Sequence, residues 1–212
     1  QCLSMTKIVC FDLESNGRPT GQGNFKTFDF INFTVGCAIV IDVSGMCTAP
    51  TKVAVDAAID NAKRITCWID KKDDGEATVM DKILTAFDEC SLILSYNGVA
   101  FDFPLIKRYY ANMNRYRQHL AKSLDIFVNI REFIGSWPKL DAILKENGIS
   151  QKSGDGAKAI VLWEQNQREE LENYCLDDVL LTARVAFMPF LSVNRILVPG
   201  HIFGVLPTLV AM

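Results

Sequence analysis

The chain has 212 residues, 49% of them hydrophobic, which suits one domain with a full core and excludes wholesale disorder. A net charge of −3 excludes a protein that coats duplex nucleic acid through bulk positive charge, though not one that grips a strand end. Seven scattered cysteines without Cys-x-x-Cys spacing point to free thiols in a reducing, intracellular setting, and two histidines leave little for a zinc site or a Ser/His/Asp triad.

The first element in chain order is Ile8 to Glu14 (IVCFDLE), an apolar run closed by the turn signal Ser15-Asn16-Gly17, hence a strand buried on both faces. Side chains two apart on a strand share a side, so Asp12 and Glu14 converge. Two carboxylates at a buried strand end are costly without a cation between them, and a hard divalent ion, Mg²⁺ or Mn²⁺, suits oxygen ligands. Taken alone, such a stretch is more commonly a strand that simply runs into a polar turn. Ser15 to Asn32, rich in Gly, Asn, Thr and Lys, is a long loop of the kind that covers sites. Phe33 to Val43 is a second strand, Thr48 to Ala62 a loop or short helix, and Ile65 to Asp70 a third strand ahead of a charged turn. Short connections make these strands an antiparallel meander. Thr78 opens a helix with Asp81 in the manner of a capping box; Ile83, Leu84 and Phe87 form its apolar face, and it ends near Cys90. Ser91 to Ser95 is then a buried strand reached by a crossover, hence parallel. Tyr96-Asn97-Gly98 turns the chain out at the sheet edge.

Asp102, two residues before Pro104, is as well placed to cap the helix that follows as to ligate a metal. That helix, to about Tyr116, is basic and aromatic (Lys107, Arg108, Tyr109, Tyr110, Arg115), with Arg117 and Lys122 beyond it. The interleaving suits a single nucleic-acid strand with stackable bases, and equally a solvated face. Ser123 to Ile130 reads as extended around Asp125, Pro138 to Asn147 as a helix stopped by Gly148, and residues 151–156 as a polar loop. Helices follow over Ala157 to Gln165 and Arg168 to Phe187. On the last, Tyr174 and Asp178 share a face one turn apart, whereas Asp177 lies about 100° round the axis. Pro189 ends it, and an apolar tail over 189–212 is expected to pack on the domain or on a protein partner. No repeat or linker divides the chain, so residues 1–212 read as one domain with a motif-bearing core over about 7–187. No apolar run reaches membrane-spanning length and the first residues show no signal-peptide pattern, so a cytoplasmic or nuclear protein without a membrane partner is expected.

Asp-x-Glu on a first strand, Asn-x-x-x-Phe-Asp after a crossover and Tyr-x-x-x-Asp on a late helix occur in that order between Lys7 and about Ala186. The triple resembles the DEDD (DnaQ-like) exonuclease superfamily in its tyrosine-bearing branch. Asn97 to Ile106 looks most like the proofreading domains of family B DNA polymerases, and Ser153 to Thr182 like stand-alone exonucleases related to them. The turn after Glu14 departs from the commoner Thr-Thr-Gly, and these 212 residues hold no polymerase domain. The resemblance implies a ribonuclease-H-like α/β fold: a mixed five-stranded sheet, its first three strands antiparallel, flanked by helices. It implies a 3′→5′ exonuclease that uses two Mg²⁺ or Mn²⁺ ions and releases nucleoside 5′-monophosphates from single-stranded DNA. Asp12, Glu14 and Asp178 would hold one metal, Asp12 would bridge to the second, and Asp102 would reach the second directly or through water. Tyr174 would orient the attacking water, Asn97 and Phe101 would hold and stack the terminal nucleotide, and Leu13 would grip its sugar and base. Lys107 and Arg108 are expected to guide the strand.

The acid set has a physical logic of its own. Two cations about 4 Å apart neutralise a phosphodiester and clamp the attacking and leaving oxygens in line, and four carboxylates roughly balance their charge. RNA is an alternative substrate, since the acids do not distinguish ribose from deoxyribose. A catalytically silent nucleic-acid-binding module is the alternative from another class, weakened by the clustered negative charge that such a binder does not need.

Overall fold

A computed structural model of the chain describes residues 7–20, 28–44, 46, 51–149 and 156–200. Its centre is a five-stranded sheet in the order β3-β2-β1-β4-β5. Strands β1 (Lys7–Ser15), β2 (Phe33–Asp42) and β3 (Lys63–Trp68) pair antiparallel, while β4 (Leu92–Ser95) runs parallel to β1 and β5 (Ser123–Asp125) parallel to β4. The expected meander and crossover are both present. The crossover helix α2 (Asp81–Glu89) carries the chain past the first three strands, so that β4 pairs with β1 and not with its predecessor β3. Thr78 does not cap α2; its hydroxyl donates to Asp81 Oδ1 at 2.7 Å and accepts from the Met80 amide, which fixes the entry turn.

Both faces of the sheet are covered, and β1 shows how its sequence serves both. Ile8 and Cys10 join a core with Val55 and Ile59 of α1 (Lys52–Asp60), with α5 (Ile126–Ile134), α6 (Leu140–Glu146) and α7 (Gly156–Glu164), and with Tyr174, Cys175 and Val179 of α8 (Arg168–Ala186). Val9, Phe11 and Leu13 point the other way, into a core with α2, Phe103 and Leu105 of α3 (Asp102–Ile106), and Tyr110. The period of two therefore carries Asp12 and Glu14 to the α8 side. The open segment after Thr48 is settled as helix α1, which Thr51 caps by accepting from the Ala54 amide at 3.2 Å.

Two further expectations are corrected. The basic stretch after Asp102 is not one helix: α3 passes into a 3-10 turn (Lys107–Tyr109), and α4 (Met113–Ala121) restarts behind Asn112, whose side chain accepts from Asn114 N at 2.8 Å. The break turns the Tyr110 ring inward, where only 6% of it stays exposed. Ser123 to Ile130 is extended only as far as Asp125, which then caps α5 by accepting from Phe127 N and Val128 N. The segment after Pro189 forms a hairpin, β6 (Phe190–Val193) and β7 (Ile196–Pro199), with Leu191, Val193 and Val198 buried against the α8-side core. The rest of the expected tail, and most of the loop over 151–156, lie outside the described residues. No helix among the described residues is long and apolar enough to cross a membrane.

Candidate active site

Parallel pairing of β1 with β4 covers only Ile8, Val9 and Cys10 of β1. Beyond Cys10 the two strands part, and a cleft opens at the carboxyl ends of β1 and β4. Asp102 closes part of this gap: its Oδ1 accepts from the Leu13 amide at 2.9 Å. It is not a helix cap, since Phe101 occupies the cap position and α3 has no side-chain cap. On the β2 side, the register shifts between Leu13 and Ser15, where Thr34 and Val35 of β2 together oppose Glu14.

The cleft, about 410 Å³, is lined by Asp12, Leu13, Glu14, Asn97, Phe101, Asp102, Tyr174 and Asp178. These side chains arrive from four places in the fold. Asp12 and Glu14 come from the end of β1, and Asp102 from the first turn of α3. Tyr174 and Asp178 come from one face of α8, buried to 3% and 5% exposure. Asp177 is exposed on another face, as the helical period requires. Asn97 stands on the turn after β4 in a left-handed conformation, φ 66°, which Asn adopts more readily than most residues. Asp125 holds that turn, accepting from Asn97 N at 2.8 Å and Val99 N at 3.0 Å. Gly98 beside it is required by crowding: a Cβ there would stand 2.4 Å from Ser95 Oγ and 3.4 Å from Asp102 Oδ2.

Lys107 and Arg108 are not among the residues lining this cleft. Arg108 donates to Asn32 Oδ1 and Phe28 O, each at 2.8 Å, and so anchors the end of the loop between β1 and β2. Arg115 is also committed elsewhere, pairing with Asp88 at 2.6 Å, and Arg117 donates to Asn114. The loop after Glu14, expected to serve the site, does so through Ser15, Gly17 and Arg18, and Tyr96 and Ile160 complete the lining. Arg18 and Ile160 carried no signal in the sequence beyond the loop and the apolar helix face on which they lie.

The electrostatics follow from the crowding of acids. Asp102 is 2% exposed, and burial together with the nearby charges of Asp125 and Asp178 pushes its carboxyl up to about 8, against the hydrogen bond from Leu13. Donor atoms of Asp12, Glu14 and Cys175 lie within 4.8 Å of one another. The Cys175 thiol donates to the Asp12 carbonyl at 3.4 Å, and burial drives its titration well above the ordinary thiol range, helped by Cys37 and by the charges of Asp12 and Glu14. It is therefore a neutral packing group, and the anionic donors available are carboxylates. That donor set fits a hard, oxygen-seeking divalent cation, whose charge would also offset the burial and the neighbouring acids that raise Asp102. Lys158 of α7 stands 5.6 Å from the centre of the Tyr174 ring.

A mixed sheet of this order, with an acidic cleft where its parallel strands end, defines the class of fold. A family model described as the RNase H superfamily matches residues 51–187, and the chain belongs to that superfamily. The matched span begins after β1, so it includes Asp102, Tyr174 and Asp178 but not Asp12 or Glu14. Among solved structures, the chain is similar to the family B DNA polymerase of the hyperthermophilic archaeon Pyrobaculum calidifontis: TM-score 0.53, 15% identity, 85% of this chain covered. The match spans about a quarter of the polymerase, 24% of its chain. At that identity the likeness is one of fold. No curated protein matches the chain.

Proposed function

We propose that the chain is a metal-dependent 3′→5′ exonuclease that shortens single-stranded DNA from its 3′ end and releases nucleoside 5′-monophosphates, residues 1–212 acting as one catalytic domain. The observation that carries the reading is the meeting of Asp12, Glu14, Asp102 and Asp178 with the Tyr174 ring in one open cleft. The four acids come from three segments far apart in sequence, and a fold that gathered them without a cation would bear their repulsion for nothing.

In this reading Asp12, Glu14 and Asp178 hold one Mg²⁺ or Mn²⁺, and Asp12 and Asp102 hold a second. When bound, such ions supply charge neutralisation at the scissile phosphate and a nucleophile at neutral pH. The Tyr174 hydroxyl orients the attacking water, since a neutral phenol is a weak base. Asn97 and Phe101, which also line the cleft, hold the terminal nucleotide, with Leu13 against its sugar and base. Arg18, which also lines the cleft, takes the role of cation beside the strand that Lys107 and Arg108 were expected to fill.

The test is a 5′-labelled single-stranded oligonucleotide, as DNA and as RNA, incubated with Mg²⁺ or Mn²⁺ and separately with chelator. The expected product is a ladder shortened from the 3′ end with release of 5′-monophosphates, lost in chelator. Internal cuts, or hydrolysis undiminished by chelator, would overturn the reading; faster turnover of RNA would reassign the substrate.

A further inference from the structure

The Tyr96 ring on the wall of the cleft is the first of a file of rings. It stands edge-on to Phe127 at 5.7 Å between centroids, and Phe127 lies against Trp137 at 5.6 Å. The guanidinium of Arg131 sits 4.9 Å from the centre of the Trp137 ring and 5.8 Å from that of Phe127. Local structure builds the file. Phe127 and Arg131 are one turn apart on α5 and share a face. Gly135, left-handed at φ 69°, ends the helix so that the chain returns across that face. The Tyr96 hydroxyl then donates to the Pro138 carbonyl at 2.8 Å, which ties the segment bearing Trp137 to the turn bearing Asn97.

The file ends in solvent: Trp137 is 74% exposed. A single exposed aromatic on a protein surface is ordinary. This one is joined through two more rings to an acidic cleft and carries a cation against its face. Aromatic rings with adjacent positive charge are the means by which sequence-tolerant sites hold single strands, the rings taking bases and the cations taking phosphates.

We propose that Arg131 and Trp137 form a stacking platform for single-stranded nucleic acid, holding the nucleotides upstream of the one in the cleft. That direction rests on the cleft being the nuclease site. Bases stack on the indole, Arg131 and the exposed Lys139 meet the backbone, and Tyr96 is the step between platform and cleft. Every base has a face to stack, so the platform grips DNA and RNA without regard to sequence, as an enzyme that degrades a strand step by step requires.

The test uses the full chain and a fluorescein-labelled oligothymidylate of about twelve nucleotides, a length within the usual span of such sites. Binding is read by anisotropy in chelator, and kcat/KM with Mn²⁺ is compared between this oligomer and a thymidine dinucleotide too short to reach Trp137. Trp137→Ala should weaken oligomer binding roughly tenfold, within the range for a base stacked on one ring, and should lower the oligomer-to-dinucleotide ratio of kcat/KM by a similar factor. Trp137→Phe should recover most of both, and Arg131→Gln should weaken binding and flatten its salt dependence. The platform is overturned if Trp137→Ala and Arg131→Gln leave both the affinity and the ratio where they were. A parent chain that binds the oligomer but hydrolyses neither substrate overturns the nuclease reading instead, and loss of that binding in Trp137→Ala still supports the platform.

Discussion

Asp102→Asn is the most informative change at the candidate site, because it should stabilise the metal-free protein while disabling it. Asn is nearly isosteric with Asp, and its Oδ1 can keep the hydrogen bond from the Leu13 amide. What it removes is a carboxyl pushed from an ordinary value of 3.8 up to about 8 by burial and by Asp125 and Asp178. The sign follows from proton binding. Between those two values the folded chain holds a proton on Asp102 that the unfolded chain has released, so folding stability falls as pH rises through the window. At about 1.4 kcal/mol for each tenfold change in proton affinity, the upper bound of the loss above pH 8 is on the order of 6 kcal/mol. Relaxation of the interior and water entry reduce it, and a loss of a few kcal/mol is the working expectation.

Urea unfolding in chelator at several pH values from about 5 to 8.5 measures this directly. The parent and Asp102→Asn should be close in stability at the acid end and diverge as pH rises, the variant becoming the more stable. Mg²⁺ or Mn²⁺ should raise the stability of the parent, and more so at high pH where its binding displaces no proton; the variant should respond weakly. A stability gap that is flat across the range would refute the electrostatic account of Asp102, and an equal metal response in both proteins would remove it from the ligand set.

The remaining expectations concern α8 and the helix beside it. Asp178→Ala should abolish turnover whereas exposed Asp177→Ala should keep most of it, and equal losses in a nuclease assay would contradict the helical phase seen here. Tyr174→Phe keeps the buried ring and deletes the hydroxyl, so kcat should fall by about 10²-fold with metal-induced stabilisation unchanged; parent-like kcat would leave the hydroxyl without a mechanistic role. His119, buried on α4, accepts from the Tyr110 hydroxyl at Nδ1 and donates from Nε2 to Asp88, each at 2.8 Å, beside Arg115 and Lys122. Burial lowers its pKa from 6.5. The unfolded chain therefore takes up a proton more readily, so stability should fall as pH drops below about 6.5, and His119→Gln should flatten that acid limb in thermal unfolding.

The periods of two and of 3.6 made much of the site legible. They put Asp12 with Glu14 and Tyr174 with Asp178 from the sequence alone, because each pair lies within one regular element. Asp102 was legible as an acid near a helix start, but not its partner: the Leu13 amide lies 89 residues away and is left free only because β1 and β4 separate after Cys10. Charge pattern did not reveal the partners of Arg108 either, since its contacts to Phe28 and Asn32 are likewise remote in sequence. The β-branched run after Asp125 read as strand, yet a carboxylate cap and the packing of Ile126 and Ile130 make it helix. The hairpin near the end did carry a signal. Asn194 and Arg195 form a two-residue turn with φ of 52° and 64°, but the usual Gly at the second position is absent, and Arg there hides the turn.

Asp125 shows why such a site resists reading from motifs alone. Its carboxylate is 5% exposed and accepts from four backbone amides, those of Asn97, Val99, Phe127 and Val128. It thereby fixes the turn that carries Asn97 into the cleft and starts the helix that carries Phe127 and Arg131 toward Trp137. Its charge also opposes ionisation of Asp102. A hydrophobic residue at this position would remove that opposition, but would leave four amides without an acceptor and free the cleft wall to move. The fold instead keeps a fifth carboxylate close to the four acids of the cleft, an excess that a bound cation would offset. Rigidity of the wall and part of the cleft's surplus negative charge thus share a source, a carboxylate that does not itself line the cleft.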